Sequence, residues 1–205
     1  MASIGTLSLP SSGFDAVIFD CDGTLVDSMS AHFEAWCEAL AIHGAGGVFK
    51  EDVFFAMGGR PTLDIVVELN DEYDLKLDPV SVALAKREAF LKRLSSVTLI
   101  DEVAAFAESL RGKMPLAIAT GGSRMVIEKT LKMVGISDWF DEVVTAEDVA
   151  EGKPAPDIFL RAAKLLGVDP ARCLVLEDAP AGILSAQRAG MQVVAVPCPL
   201  ASPNL

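Results

Sequence analysis

The chain reads Asp15-Ala-Val-Ile-Phe-Asp20-Cys-Asp22-Gly-Thr-Leu-Val-Asp-Ser28 near its start, a short apolar run that ends in two acids flanking one residue. The run 16–19 is typical of a strand covered on both faces, and in open α/β sheets the ligand crevice lies beyond the carboxyl ends of such strands. Crowded acids repel each other unless a cation lies between them. The pattern therefore predicts a hard-metal site, a nucleophile beside a general acid, or both, rather than an Asp-rich turn.

A second strand-end pattern is Pro115-Leu-Ala-Ile-Ala-Thr120-Gly121-Gly-Ser123, which precedes a helical pattern. A hydroxyl group and backbone N–H groups at such a turn can bind an anion. Taken alone, this segment is also an ordinary strand-to-helix loop.

Two further segments carry charged residues. Gly152-Lys153-Pro-Ala-Pro-Asp157 places a lysine just before a helix that begins at proline, and Cys173-Leu-Val-Leu-Glu177-Asp178-Ala-Pro-Ala-Gly182 is again an apolar strand that ends in adjacent acids. Neighbouring acids at another strand end favour a bound Mg²⁺ over two idle surface charges.

Together, in this order and over residues 15–195, the four segments resemble the motifs of the haloacid dehalogenase-like phosphohydrolases. The β-phosphoglucomutase-like members are the nearest look-alikes. The resemblance implies that Asp20 attacks phosphorus and becomes an aspartyl-phosphate, while Asp22 acts first as general acid and then as general base. It also implies that Thr120, Gly121 and Lys153 bind the phosphate.

The metal expected from this resemblance is Mg²⁺. Its expected ligands are the Asp20 carboxylate, the Asp22 main-chain carbonyl and Asp178, with Glu177 in reach directly or through water. The metal would offset the repulsion between the phosphate and the nucleophile.

Strand and helix patterns alternate regularly outside residues 28–95. Predicted strands cover residues 16–19, 116–120, 142–145, 173–177 and 192–196, and predicted helices cover 101–111, 123–134, 155–166 and 180–189. This alternation predicts an α/β fold with a doubly wound, Rossmann-like parallel sheet. Residues 28–95 are helical by pattern, so we expect a core of residues 14–27 and 96–205 with a small helical cap, residues 28–95, inserted after the first strand.

The cap is expected to set the substrate. In an alignment by eye, Pro61 and Glu88 occupy positions where the mutase pattern has basic residues, which leaves Arg60 as the one obvious cap cation for a distal anion. His32, one turn before Trp36 on the first cap helix, is a candidate for facing the substrate, and Trp36 is a candidate core residue. A sugar- or polyol-phosphate phosphatase is therefore favoured over a phosphoglucomutase, and a catalytically silent phosphometabolite-binding or interaction protein is the alternative from another class.

Composition narrows the class of partner. The 205 residues are 51% hydrophobic, carry a formal net charge of −12 and have a pI near 4.5, which disfavours nucleic acids and anionic membranes as partners. Residues 1–13 are Ser-rich without basic residues and are predicted to form a loose tail, and no apolar run approaches the ~20 residues of a membrane span. We expect a cytoplasmic protein, monomeric, acting on a small phosphorylated metabolite.

The four cysteines show neither zinc-site spacing nor a disulfide framework. Cys21 lies between the two acids, where the side chain of the middle residue points away from its neighbours. It is therefore interpreted as a spacer rather than a nucleophile.

Overall fold

Strands and helices alternate through most of the chain in the computed structural model, which describes residues 2–4, 7–10 and 13–197. The strands are β1 (Ala2–Ile4), β2 (Leu7–Leu9), β3 (Ala16–Phe19), β4 (Val26–Asp27), β5 (Thr98–Leu99), β6 (Leu116–Ala119), β7 (Glu142–Val144), β8 (Cys173–Glu177) and β9 (Gln192–Ala195). The α-helices are α1 (Met29–Ile42), α2 (Glu51–Ala56), α3 (Thr62–Tyr73), α4 (Pro79–Arg93), α5 (Asp101–Leu110), α6 (Arg124–Met133), α7 (Asp157–Leu166) and α8 (Pro180–Arg188). Among the residues described, no helix combines the length and the apolar character needed to cross a membrane.

Five of these strands form one parallel sheet in the order β7-β6-β3-β8-β9. The central strand β3 pairs with β6 on one side and β8 on the other, so that Phe19 lies opposite both Ile118 and Leu176. The residues that follow these positions therefore meet at one edge of the sheet. This topology confirms the predicted doubly wound α/β fold.

The apolar runs of the central strands are explained by hydrophobic clusters on both faces of the sheet. In β3, Val17 and Phe19 belong to the cluster that includes Phe106 of α5, whereas Ala16 and Ile18 belong to the cluster that includes Phe159 of α7. Because successive strand residues point to opposite faces, a strand buried on both sides must be apolar throughout.

Helices α1 to α4 enclose a third hydrophobic cluster, which includes Trp36, Phe54 and Leu69. The chain enters and leaves this helical region through the antiparallel pair β4–β5. Helices α1 and α4 also contribute Ala31 and Phe90 to the cluster under the sheet. The boundaries 28–95 for a separate cap stay a prediction.

The prediction of a loose N-terminal tail is wrong for the residues described there. Strands β1 and β2 pair antiparallel, and Leu7 and Leu9 are buried in the cluster under the sheet. The alternation of leucine and serine at residues 7–9 is a strand signal that the Ser-rich composition obscures. Residues 1, 5, 6, 11, 12 and 198–205, with Cys198 and the end of the predicted core, lie outside the described residues.

Candidate active site

Four functional candidates meet at the carboxyl edge of the central strands. Asp20 follows β3, Thr120 follows β6, and Glu177 ends β8 with Asp178 next to it. The backbone keeps the strand register here, since the Asp20 N–H donates to the carbonyl of Leu176 at 3.0 Å. The parallel pairing thus brings together side chains that are distant in the sequence.

Lys153 lies beneath this edge with its side chain fully buried. Its Nζ is 2.5 Å from Asp20 Oδ1 and 2.8 Å from Glu177 Oε1. Burial alone would lower the pKa of Lys153, but the charges of Asp20 and Glu177 reverse this and raise it above its usual value. The lysine is therefore held charged between two carboxylates.

Asp20, Glu177 and Asp178 form an acidic cluster suited to a hard cation. One carboxylate oxygen from each lies within 4.8 Å of the other two. Burial and then the charge of Glu177 raise the pKa of Asp178 to about 7, and burial also raises the pKa of Asp20 well above its usual value despite Lys153. This excess of negative charge on oxygen donors fits a Mg²⁺ site.

Gly182 makes room for this cluster at the start of α8. A Cβ atom on Gly182 would lie 1.6 Å from Glu177 Oε1, so the site excludes a side chain there. The other oxygen, Glu177 Oε2, accepts a hydrogen bond from the Ala179 N–H at 2.6 Å. The backbone just before α8 thereby orients the Glu177 carboxylate.

The Asp22 carboxylate contacts residues at the start of α1. Ser28 Oγ donates to Asp22 Oδ1 at 2.6 Å, and His32 Nε2 lies 3.0 Å from the same oxygen without hydrogen-bond alignment. Burial opposes ionisation, yet His32 and Ser28 lower the pKa of Asp22 below its usual range. With this carboxylate held by Ser28 and next to His32, the group that Asp22 could offer to a metal is its main-chain carbonyl.

His32 is held in place from α4. Its ring stacks on Phe90 with the ring centres 3.9 Å apart, and its Nδ1 lies 3.0 Å from Lys86 Nζ. Burial and then the charge of Lys86 lower the pKa of His32, while burial lowers the pKa of Lys86 to about 8. A neutral His32 that accepts from Lys86 on Nδ1 carries its proton on Nε2, facing Asp22.

The loop after β6 lies close to the loop before α3. Thr120 Oγ1 accepts from the Gly122 N–H at 3.1 Å, which leaves the hydroxyl proton available for donation. A Cβ atom on Gly121 would lie 2.6 Å from the main-chain oxygen of Gly59, so only glycine permits this approach.

A cavity of about 560 Å³ lies between the sheet edge and the helices α1 to α4. Lys153 and Glu177 are buried behind Asp20, whereas the other predicted site residues line the cavity: Asp20, Asp22, His32, Arg60, Thr120, Gly121 and Asp178. Arg60 already forms an ion pair within the protein, since its Nη2 lies 2.5 Å from Glu68 Oε2.

The expectation that Arg60 is the one cap cation near the site is wrong. Lys86 and Arg87 of α4 also line the cavity. They directly precede Glu88, the position at which the mutase pattern has a basic residue. Ser28, which donates a hydrogen bond to Asp22, is a further residue whose role the sequence does not indicate. The spacing of Lys86 and Phe90, one helical turn apart, was the available signal that both face His32.

Cys21 is fully buried in the cluster under the sheet, and burial raises the pKa of its thiol well above the usual value. A buried, protonated thiol is a poor nucleophile. The interpretation of Cys21 as a spacer agrees with this position.

Comparison with known proteins finds a family model and curated relatives that match most of the chain. A family model described as haloacid dehalogenase-like hydrolase matches residues 14–190. The fructose-1-phosphate phosphatase YqaB of Escherichia coli is 37% identical over 190 residues, covering 89% of this chain and 96% of that protein. Hexitol phosphatase A of Escherichia coli is 36% identical, covering 92% of this chain and 85% of that protein.

Solved structures show the same fold. CbbY from Rhodobacter sphaeroides in complex with phosphate superposes with a TM-score of 0.80 at 26% identity, covering 90% of this chain and 86% of that one. A β-phosphoglucomutase from Clostridium difficile gives a TM-score of 0.78 at 24% identity, over 88% and 83% of the two chains, a likeness of fold. From the family match and the similarity of these relatives, the chain belongs to the haloacid dehalogenase-like hydrolases.

Proposed function

We propose that this phosphatase hydrolyses a small sugar or polyol monophosphate through an aspartyl-phosphate on Asp20, with Mg²⁺ as cofactor. The observation that carries the proposal is the placement of Asp20 on the cavity lining with Lys153 and two further carboxylates against it. The relatives named for phosphatase activity on fructose 1-phosphate and hexitol phosphates support the substrate class.

Asp20 is the proposed nucleophile. Lys153 binds Oδ1, which leaves the second oxygen of the carboxylate to form a bond with phosphorus as the bond to the leaving oxygen breaks. The charge of Lys153 favours the ionised form of Asp20 against the effect of burial. Water then attacks the aspartyl-phosphate, which releases inorganic phosphate and restores the carboxylate.

Asp22 is the proposed acid and base. It would protonate the leaving alkoxide in the first step and take a proton from water in the second. Its contacts with Ser28 and His32 favour the ionised form, which is the form required once the leaving group has departed. His32 and Ser28 therefore act as positioning residues for this carboxylate.

The remaining phosphate oxygens would be bound by the Thr120 hydroxyl and the Gly121 N–H, while Lys153, buried behind Asp20, would act on the phosphate through its charge. Asp20, Glu177, Asp178 and the Asp22 carbonyl would hold Mg²⁺, which supplies charge neutralisation for phosphate and nucleophile. Donors fixed by the fold in this way cost little reorganisation during the reaction.

Residues 28–95, which contain α1 to α4, are the proposed cap over the leaving group, with Arg60 and His32 on the substrate side. Such a cap would exclude water while it is closed for the first step, and it would admit water when it opens for the second step. We also propose that the protein acts as a cytoplasmic monomer.

A β-phosphoglucomutase-type activity is the second candidate, and one observation favours it. Lys86 and Arg87 give the cavity more cations than the sequence indicated, and a bisphosphate intermediate requires several. Conversion of β-glucose 1-phosphate to glucose 6-phosphate much faster than phosphate release would establish the mutase.

A hydrolysis screen over sugar, polyol and aryl phosphates with Mg²⁺ tests the proposal. We expect phosphate release by the wild type and none by Asp20→Asn. We expect Asp22→Asn to slow alkyl esters by about 10²–10⁴-fold but aryl esters less, because a good leaving group needs little protonation. Asp27→Asn, an exposed acid in the same segment, is the matched control.

A further inference from the structure

One face of α4 forms a wall of the cavity. Val80, Ala83, Leu84 and Arg87 all line it, and their spacing of three and four residues places them on one side of the helix. Val80 is 57% exposed, whereas Phe90, farther along α4, is 1% exposed. The face thus runs from the cavity mouth inward, and Arg87 lies toward its inner end.

Arg87 differs from the other cations of this lining. Arg60 is paired with Glu68, and Lys86 is bonded to His32. Within the described ranges, the half-buried Arg87 forms neither a hydrogen bond nor an ion pair. Its five N–H donors are therefore available to a ligand in the cavity.

The charges of the cavity lining indicate what kind of ligand group suits Arg87. The lining also contains Asp64 and Glu147, and Glu147 accepts a hydrogen bond from the Arg124 N–H at 2.9 Å. A second phosphate would face these acids, whereas hydroxyl groups can accept from a guanidinium and donate to carboxylates. A leaving group with several hydroxyl groups can therefore form hydrogen bonds both to the Arg87 guanidinium and to the carboxylates of the lining.

We infer that Arg87 is a specificity-determining residue, whose guanidinium donates to hydroxyl oxygens at the end of the leaving group remote from the phosphate. This inference rests on the proposed function, because it requires the phosphate to lie at Asp20. It assigns distal recognition to α4 rather than to the loop that carries Arg60.

The test compares Arg87→Met with wild type on fructose 1-phosphate and on phenyl phosphate, which has no distal hydroxyl. Loss of a charged hydrogen bond predicts a fall of about 10- to 100-fold in kcat/KM for the sugar phosphate, mainly through KM, and a smaller change for phenyl phosphate. Arg87→Lys should recover part of the loss. Arg161→Met, an exposed arginine on α7, is the control expected to match wild type.

An equal change for both esters, or none, would overturn the inference while leaving the proposed function standing. A selective loss in Arg60→Met but not in Arg87→Met would move distal recognition to Arg60. A loss confined to a sugar bisphosphate would overturn the assignment to hydroxyl groups. If wild type with Mg²⁺ hydrolysed neither ester, the proposed function and the inference would both fail.

Discussion

Lys153 and Asp20, 133 residues apart in the sequence, form a buried ion pair in which the lysine Nζ lies 2.5 Å from Asp20 Oδ1. The same ammonium group is 2.8 Å from Glu177 Oε1. A single cation thus links the proposed nucleophile to the proposed metal site. Burial raises the pKa of Asp20 well above its usual value, and Lys153 opposes this shift toward the protonated form, which cannot attack phosphorus.

Lys153→Met is therefore expected to lower kcat for phosphate release by about 10²–10³-fold or more, since it removes a preorganised charge from the reacting groups. Steady-state kinetics with saturating Mg²⁺ measures this. Lys164→Met, an exposed lysine on α7, serves as the matched control. Wild-type kcat in the Lys153 variant would contradict the role of the ion pair.

Metal removal addresses the acidic cluster. Excess EDTA should abolish phosphate release, and added Mg²⁺ should restore it, because the crowded carboxylates of Asp20, Glu177 and Asp178 repel one another and a phosphate unless a cation lies between them. Asp178→Asn should raise the half-saturating Mg²⁺ concentration by about tenfold or more. Asp74→Asn, at an exposed position just after α3, is the control. Full turnover in EDTA would show that no metal is needed.

Gly182→Ala tests the packing of α8 against the cluster. The added methyl group would lie 1.6 Å from Glu177 Oε1, so Glu177 or the helix must shift. We expect a loss of about 1–3 kcal/mol in the free energy of unfolding, together with weaker Mg²⁺ activation. Gly46→Ala is the control, since its nearest atoms are 3.5 Å away. Unchanged thermal unfolding and Mg²⁺ dependence in the Gly182 variant would argue against this packing.

Asp148 lies between two residues that line the cavity, Glu147 and Val149, and it contributes to the stability of the fold in a pH-dependent way. Against the effect of burial, the Thr145 N–H and hydroxyl and the Arg124 guanidinium lower its pKa. Because the pKa of Asp148 is lower in the folded protein than its ordinary value of 3.8, the ionised carboxylate stabilises the fold at pH values above 3.8. This stabilisation is lost as the pH falls through the folded-state pKa.

Asp148→Asn should accordingly cost less than about 1 kcal/mol at pH 7, because solvent screens this exposed carboxylate, and its difference from wild type should shrink toward pH 3. Urea unfolding at the two pH values measures both effects. Asp138→Asn, which removes an exposed ion pair with Arg111, should cost less. A pH-independent difference for Asp148→Asn would contradict the assignment.

The sequence was sufficient to predict the residues at the sheet edge. Asp20, Thr120 and Glu177 each end or follow an apolar run, and parallel pairing necessarily brings the ends of neighbouring strands together. Lys153 was expected only through the family resemblance, since a lysine before a helix carries no local sign of being buried.

Contacts that depend on helix packing could not be predicted from sequence. The approach of Lys86 to His32, 54 residues apart, depends on how α4 lies against α1. The pairing of Arg60 with Glu68 likewise depends on how the chain enters α3. Local patterns specify strands and their ends, whereas tertiary packing decides which charged side chains share a cavity.

Covalent labelling would show directly whether Asp20 is the residue that accepts the phosphoryl group. Wild-type protein with Mg²⁺ would be mixed with a hexose monophosphate carrying radiolabelled phosphate, quenched rapidly in acid and mapped by peptide mass spectrometry. Transient label on Asp20, with none in Asp20→Asn, is the predicted result. Label on any other residue, or phosphate release by Asp20→Asn at the wild-type rate, would contradict the account.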